Sequence, residues 1–187
     1  MRTMLIETEP TPNPRTLKFL LGGVANPGEP AEFADPQAAE ATPVARALFA
    51  LGDVERVLIA HDHIAVTRAE GAADWPELRP LLLSVIADHA ARGLPFEIGA
   101  AEEDSLADDP ADADIIAQIR QLLDERVRPA VAGDGGDIVY RGFHEGVVLL
   151  RMKGACSGCP SSTATLKAGI ENLLRYYVPE VREVRAV

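Results

Sequence analysis

An α+β fold, built as two small α+β domains joined by a flexible acidic linker, is predicted by three observations. Helical and strand periodicities are interspersed in both halves of the chain. Residues 99–114 carry seven carboxylates, no basic side chain and one large apolar residue, Leu106. Such a stretch repels itself and has little apolar surface to offset its ordering entropy. Finally, 187 residues at 47% apolar content can bury a real core, in one domain or two small ones. The expected boundaries are 1–98 for the first domain, 99–114 for the linker and 115–187 for the second domain.

In the first domain, Met4–Glu7 and Leu17–Leu21 read as two short strands around the Pro-rich turn at residues 9–14. Thr42-Pro43 is an N-cap followed by a first-turn proline, and the helix it opens stops at Gly52. Val54–Ala60 and Ile64–Arg68 flank His61-Asp62-His63 as strands of a hairpin, with the histidines in a solvated turn. Asp74 then starts a longer helix through Leu78, Leu82, Val85, Ile86 and His89, ending at Gly93-Leu94-Pro95. Trp75 is expected to pack and His89 to lie partly buried or at the surface. Nothing in this half points to catalysis.

In the second domain, Ile115, Ile116, Ile119, Leu122, Leu123 and Val127 recur at helical spacing until Pro129 is expected to end the helix. Gly133-Asp134-Gly135-Gly136-Asp137 punctuates the chain and reads as a glycine turn, not a cation loop. Strands Ile138–Phe143 and Val147–Lys153 follow, reversed at His144-Glu145-Gly146. Pro160 fits a first helical position, and Leu166, Ile170, Leu173, Leu174 and Tyr177 line one stripe before Pro179. Val181–Val187 is short enough to return as a last strand.

The two cysteines of the chain, Cys156 and Cys159, stand between the second strand and that helix, in Gly154-Ala155-Cys156-Ser157-Gly158-Cys159-Pro160. A helix N-terminus favours thiolate over thiol, as do nearby Arg151 and Lys153. Glycines at 154 and 158 admit close approach, and small residues around the pair leave room for a second copy. Two thiolates supply half of the four ligands that a tetrahedral zinc or an iron-sulfur cluster takes. His61, His63, His89 and His144 are remote in sequence. The economical source of the missing ligands is the same CxxC in a second chain, which implies a metal-bridged homodimer. A dithiol-disulfide pair, with Cys156 as nucleophile and Cys159 as resolving thiol, competes with this reading. Against it, the strands ahead of the motif form a hairpin, whereas a thioredoxin-type site follows a βαβ crossover. A structural zinc clasp and two buried, inert thiols are the remaining readings.

Composition narrows the classes further. A net charge of −11 argues against nucleic acid as a partner, because phosphate binding needs a basic face. The longest apolar runs fall short of the roughly 20 residues that span a bilayer, so no membrane partner is expected. The first residues show neither a secretory apolar core nor an Arg-rich presequence, and a cytoplasmic location, or a mature form already cleaved, is expected from them.

Two long segments also resemble a known family. Arg128–Ile138 with Lys153–Ser162 looks like the C-terminal domain of NifU and the Nfu-type iron-sulfur scaffold and carrier proteins. Thr11–Phe19 with Ala45–Phe49 resembles the N-terminal domain that Nfu proteins carry ahead of it. The resemblance implies a non-enzymatic protein that binds a 4Fe-4S cluster between two subunits through the CxxC of each. Cys156 and Cys159 would then be the cluster and metal ligands. It also implies transfer to apo iron-sulfur recipient proteins, with an upstream cluster scaffold as a further partner and recognition by the N-terminal domain.

Overall fold

The computed structural model describes residues 5–23, 26, 28–94, 96, 108–156 and 160–187, the side chains of 160–162 excepted. The chain divides into two compact units between Ala101 and Glu102, within the acidic stretch.

The first unit is a five-stranded sheet with two helices. Its strands are β1 (Glu7–Pro10), β2 (Thr16–Leu20), β3 (Ala31–Phe33), β4 (Val54–Ile59) and β5 (His63–Arg68). They lie in the order β1-β2-β5-β4-β3, and every neighbouring pair is antiparallel. Helices α1 (Pro43–Phe49) and α2 (Trp75–Ala91) join one face of the sheet in a single core. Leu17, Phe19 and Leu21 alternate onto that face, as do Ile64 and Val66, and meet Val44 and Leu48 of α1 and Leu78, Leu82 and Ile86 of α2.

Several expectations shift in detail. The first strand starts at Glu7 and runs through Pro10. Proline is tolerated there because β1 is an edge strand and needs no donor on its outer side. Strand β3 has three residues, too few for an alternation to be visible in the sequence. Neither Thr42 nor Asp74 caps its helix through a side chain. Asp74 instead accepts a 2.8 Å hydrogen bond from Arg68 Nη1. Trp75 packs against the core and donates from Nε1 to Pro14 O at 2.9 Å.

His61 and His63 part company. His61 is exposed, whereas His63 is the first residue of β5 and only 1% exposed, because period-2 alternation carries it onto the sheet with Ala65 and Thr67. Its Nδ1 lies 2.8 Å from Asp62 Oδ1. Burial raises the Asp62 pKa, but the hydrogen bond and charge of His63 outweigh it and hold the carboxyl below the usual carboxylate range. His89 is buried on α2 and tilts against Phe96 at 5.1 Å between ring centres.

The second unit opens with a short 3₁₀ turn, Pro110–Asp112, and helix α3 (Ala113–Leu122). Leu123–Val127 widens into a π turn, and α4 (Arg128–Gly133) continues the helix past Pro129. The expectation that Pro129 ends the helix is therefore wrong. Proline removes one intrahelical donor, and the wider turn just before it accommodates that loss without breaking the path.

Strands β6 (Gly136–His144), β7 (Val147–Gly154) and β8 (Glu183–Ala186) form a sheet with β7 in the centre. β6 pairs with it antiparallel through a two-residue turn in which Glu145 and Gly146 have φ of 48° and 83°. β8 pairs with it in parallel, which requires the crossover that α5 (Pro160–Tyr177) supplies. Ile116, Ile119, Val127 and Val131 from the first helices, Val148, Leu150 and Met152 from β7, and Ile170 and Leu174 from α5 share one core. Among the described residues, no helix is long and apolar enough to cross a membrane.

Asp108, within the acidic stretch, is tied to the sheet. Its Oδ1 accepts from Tyr140 Oη at 2.8 Å and from the Phe143 amide at 3.1 Å, and the Arg120 guanidinium sits 4.5 Å above the Tyr140 ring. Burial, then the hydrogen bond and negative charge of Asp108, push the Tyr140 phenol well above its usual range. Because the folded pKa is the higher one, this contribution to stability is complete below about pH 10 and is lost as pH rises further. Tyr140→Phe is expected to lower stability by about 1 kcal/mol at neutral pH. In a spectrophotometric titration of the folded chain it should also remove the last of the three tyrosines to ionise. An unchanged late phase would show that another tyrosine carries it.

Candidate functional site

The site is built where β7 ends. Gly154 closes the strand with φ 69°, a left-handed conformation that glycine adopts without strain, and the chain turns sharply into Ala155 and Cys156. The Ala155 amide donates to Gly135 O at 3.2 Å, which ties this turn to the one that leaves α4. Gly135 itself has φ 75°.

Cys156 is a buried thiol, 7% exposed, at the edge of the core of the second unit. Its Sγ sits directly against Gly136. A Cβ on that glycine would lie 2.5 Å from Sγ and 2.9 Å from Lys153 O, closer than real Cβ contacts come. On the other side, Thr163 Oγ1 donates to Cys156 O at 2.6 Å from the first turns of α5. Cys159 lies outside the described residues, immediately before Pro160, where α5 begins.

A second layer holds the glycine turn. Asp137, nearly buried in β6, accepts from Arg128 Nε at 3.0 Å and from the Ile138 amide at 2.7 Å. Arg128 in turn donates from Nη1 to Asp124 Oδ1 at 3.1 Å. Burial opposes the Arg128 charge, but the bonds to Asp137 and Asp124 overcome it and raise the guanidinium pKa further. The pair thus pins the start of α4 to the start of β6, next to Cys156. Lys153 is buried opposite Asp137 in the β6–β7 register.

The sequence reading found Cys156 but not its setting. Gly136 had been read as part of a turn, and Thr163 only as a small residue that leaves room. The run of three glycines among five residues was the available signal, since a glycine is required where a sulfur approaches a backbone this closely. The structure brings none of the histidines to Cys156 as a ligand set. Among the described residues, no group of three or more His, Cys, Asp or Glu side chains could hold a metal ion. A thiol without a disulfide, seated on a glycine ahead of a helix N-terminus, is a donor suited to a soft metal or an iron-sulfur cluster.

Comparison with known proteins agrees with this chemistry. The family described as the NifU-like domain matches residues 119–185, and the family described as scaffold protein Nfu/NifU N terminal matches residues 6–93. The human "NFU1 iron-sulfur cluster scaffold homolog, mitochondrial" is 42% identical over 190 aligned residues, covering 100% of this chain and 73% of that protein. The protein of the same name from Drosophila sechellia is 43% identical, covering 100% of this chain and 66% of that protein. The "NifU-like protein 5, mitochondrial" of Arabidopsis thaliana is 42% identical over 98% of this chain and 68% of that protein. These relatives are named mitochondrial, which overturns the cytoplasmic location expected from the first residues. The first residues of a mature, processed chain keep no record of its compartment. With both family domains matched in order and a relative 42% identical of which this chain covers 73%, the chain belongs to the Nfu/NifU family of iron-sulfur cluster scaffold proteins.

Proposed function

We propose that this protein binds a 4Fe-4S cluster between two copies of itself, through Cys156 and Cys159 of each, and hands it to apo-proteins. The observation that carries the reading is the Cys156 thiol seated on Gly136 at a strand-to-helix junction, in a chain with two cysteines. One chain supplies two thiolates and a cubane takes four, so a second chain completes the set.

The cluster is cargo. For each transferred bond, a recipient cysteine loses its proton and forms an iron-sulfur bond, while one of Cys156 or Cys159 gives up its bond and takes a proton. No electron is exchanged, and the protein ends the cycle as it began, which makes it a carrier and not an enzyme. The N-terminal unit offers no comparable thiol and is assigned to recognition of recipients or of an upstream scaffold.

Anaerobic reconstitution with ferrous iron and sulfide tests this. About two irons and two sulfides per chain, in a particle of twice the chain mass, are expected for a shared 4Fe-4S cluster. A monomer that stays metal-free and cycles between dithiol and disulfide would overturn it.

A further inference from the structure

Cys156 is held from two sides by residues that never touch the cargo. Gly136, twenty positions earlier in the chain, leaves the space that Sγ fills, and Thr163, seven positions later, fixes the carbonyl of the same residue at 2.6 Å. The two contacts are independent: one is steric and comes from the turn after α4, the other is a hydrogen bond from α5. The Ala155 amide bond to Gly135 O completes a three-point hold on Cys156 and its neighbour.

We infer that Gly136 and Thr163 are positioning residues for cargo binding, the glycine forming a seat for the Cys156 sulfur and the threonine latching the Cys156 carbonyl through its hydrogen bond. The inference rests on the cluster-carrier reading for its purpose but not for its geometry. A metal ligand held in place before the metal arrives has already met its ordering cost during folding, so the cargo binds more tightly and leaves more slowly. The same hold shelters the thiol when no cargo is bound: at 7% exposure it is withdrawn from solvent reagents and oxidants. Loading then requires the latch to open locally, which makes the Thr163 hydrogen bond a control on exchange in both directions.

The test is made on the full chain without cargo. Thr163→Val keeps the shape of the side chain and removes the donor; Thr163→Ser keeps the donor. Both cysteines are alkylated with iodoacetamide and their rates read separately from the digested peptides. Loss of one hydrogen bond of ordinary strength is expected to raise the Cys156 rate, relative to Cys159, roughly five- to tenfold in Thr163→Val, with Thr163→Ser restoring it. Global destabilisation is read from the denaturant midpoint of each variant, and only a rise in the ratio beyond what that midpoint predicts counts as release of the latch. Gly136→Ala is expected to move the ratio in the same direction, by displacing Sγ, and Thr163→Val alone decides the matter if that variant does not fold. A ratio unchanged within twofold in Thr163→Val overturns the inference. In the loaded dimer, the half-time of iron loss to a chelator should shorten by a similar factor. Because the alkylation ratio needs no cluster, a chain that proves unable to bind one would sink the carrier reading while leaving the latch intact.

Discussion

A Cys156→Ser chain is expected to hold no bridged cluster and to remain monomeric under the anaerobic loading that is expected to convert the native chain to a dimer. A serine hydroxyl does not ionise at neutral pH and is a poor ligand for a soft centre. With Cys156 gone, two copies together offer two thiolates where four are needed. Cys159→Ser should fail in the same way. The fold should survive, with a measurable difference for Cys156. Its side chain is buried against Gly136 in the core of the second unit, so placing a hydroxyl there costs about 1 kcal/mol. That is small beside the roughly 5–15 kcal/mol by which domains are stable. Iron and acid-labile sulfide per chain, visible absorbance and native mass measure the first effect, and far-ultraviolet circular dichroism with a denaturant midpoint the second. A variant that keeps the full iron complement and the dimer would remove Cys156 from the ligand set.

What could be read from the residues follows from the range of each interaction. α2 and the β6–β7 hairpin were legible because their signals are local: a repeat of apolar residues at helical spacing in one, alternation around Glu145-Gly146 in the other. The helix through Pro129 was misjudged because the compensation is in the π turn before it, and no residue type announces a π turn. His63 was misjudged because its burial is decided by its pairing with Leu20 and its place on a sheet face, which are properties of β2 and β5 together. At the site, the two thiols were visible as letters, while the Gly136 seat depends on a contact across twenty residues and the Thr163 latch on the way α5 folds back toward Cys156. Asp108 makes the same point from the other direction. It stood among seven carboxylates as one more solvated charge, yet it accepts the Tyr140 hydroxyl and a β6 amide.

Phe19→Ala is expected to cost the first unit about 3–5 kcal/mol, the range for truncating a buried aromatic ring. β2 lies between β1 and β5, and Phe19 is fully buried, facing Ile64 across the β2–β5 register and sharing a core with Leu48, Leu82 and Ile86. No neighbour can move to fill the space without disturbing both the sheet and the two helices. A loss of about 4 kcal/mol shifts the folding equilibrium roughly a thousandfold, a large fraction of what a unit of this size possesses. The chain carries its own reporter for this. Trp75, its single tryptophan, packs on that same core and hydrogen-bonds Pro14 O, so its fluorescence follows the first unit alone. In a urea titration the Trp75 transition should move to markedly lower denaturant in Phe19→Ala. Among the described residues, the second unit has its own core, from Ile116 to Val184. Its ability to load a cluster at Cys156 should therefore persist in urea concentrations at which the Trp75 signal has already collapsed. Loss of both signals at one midpoint would mean that the two units fold as one, and that recognition and cargo binding are coupled through stability.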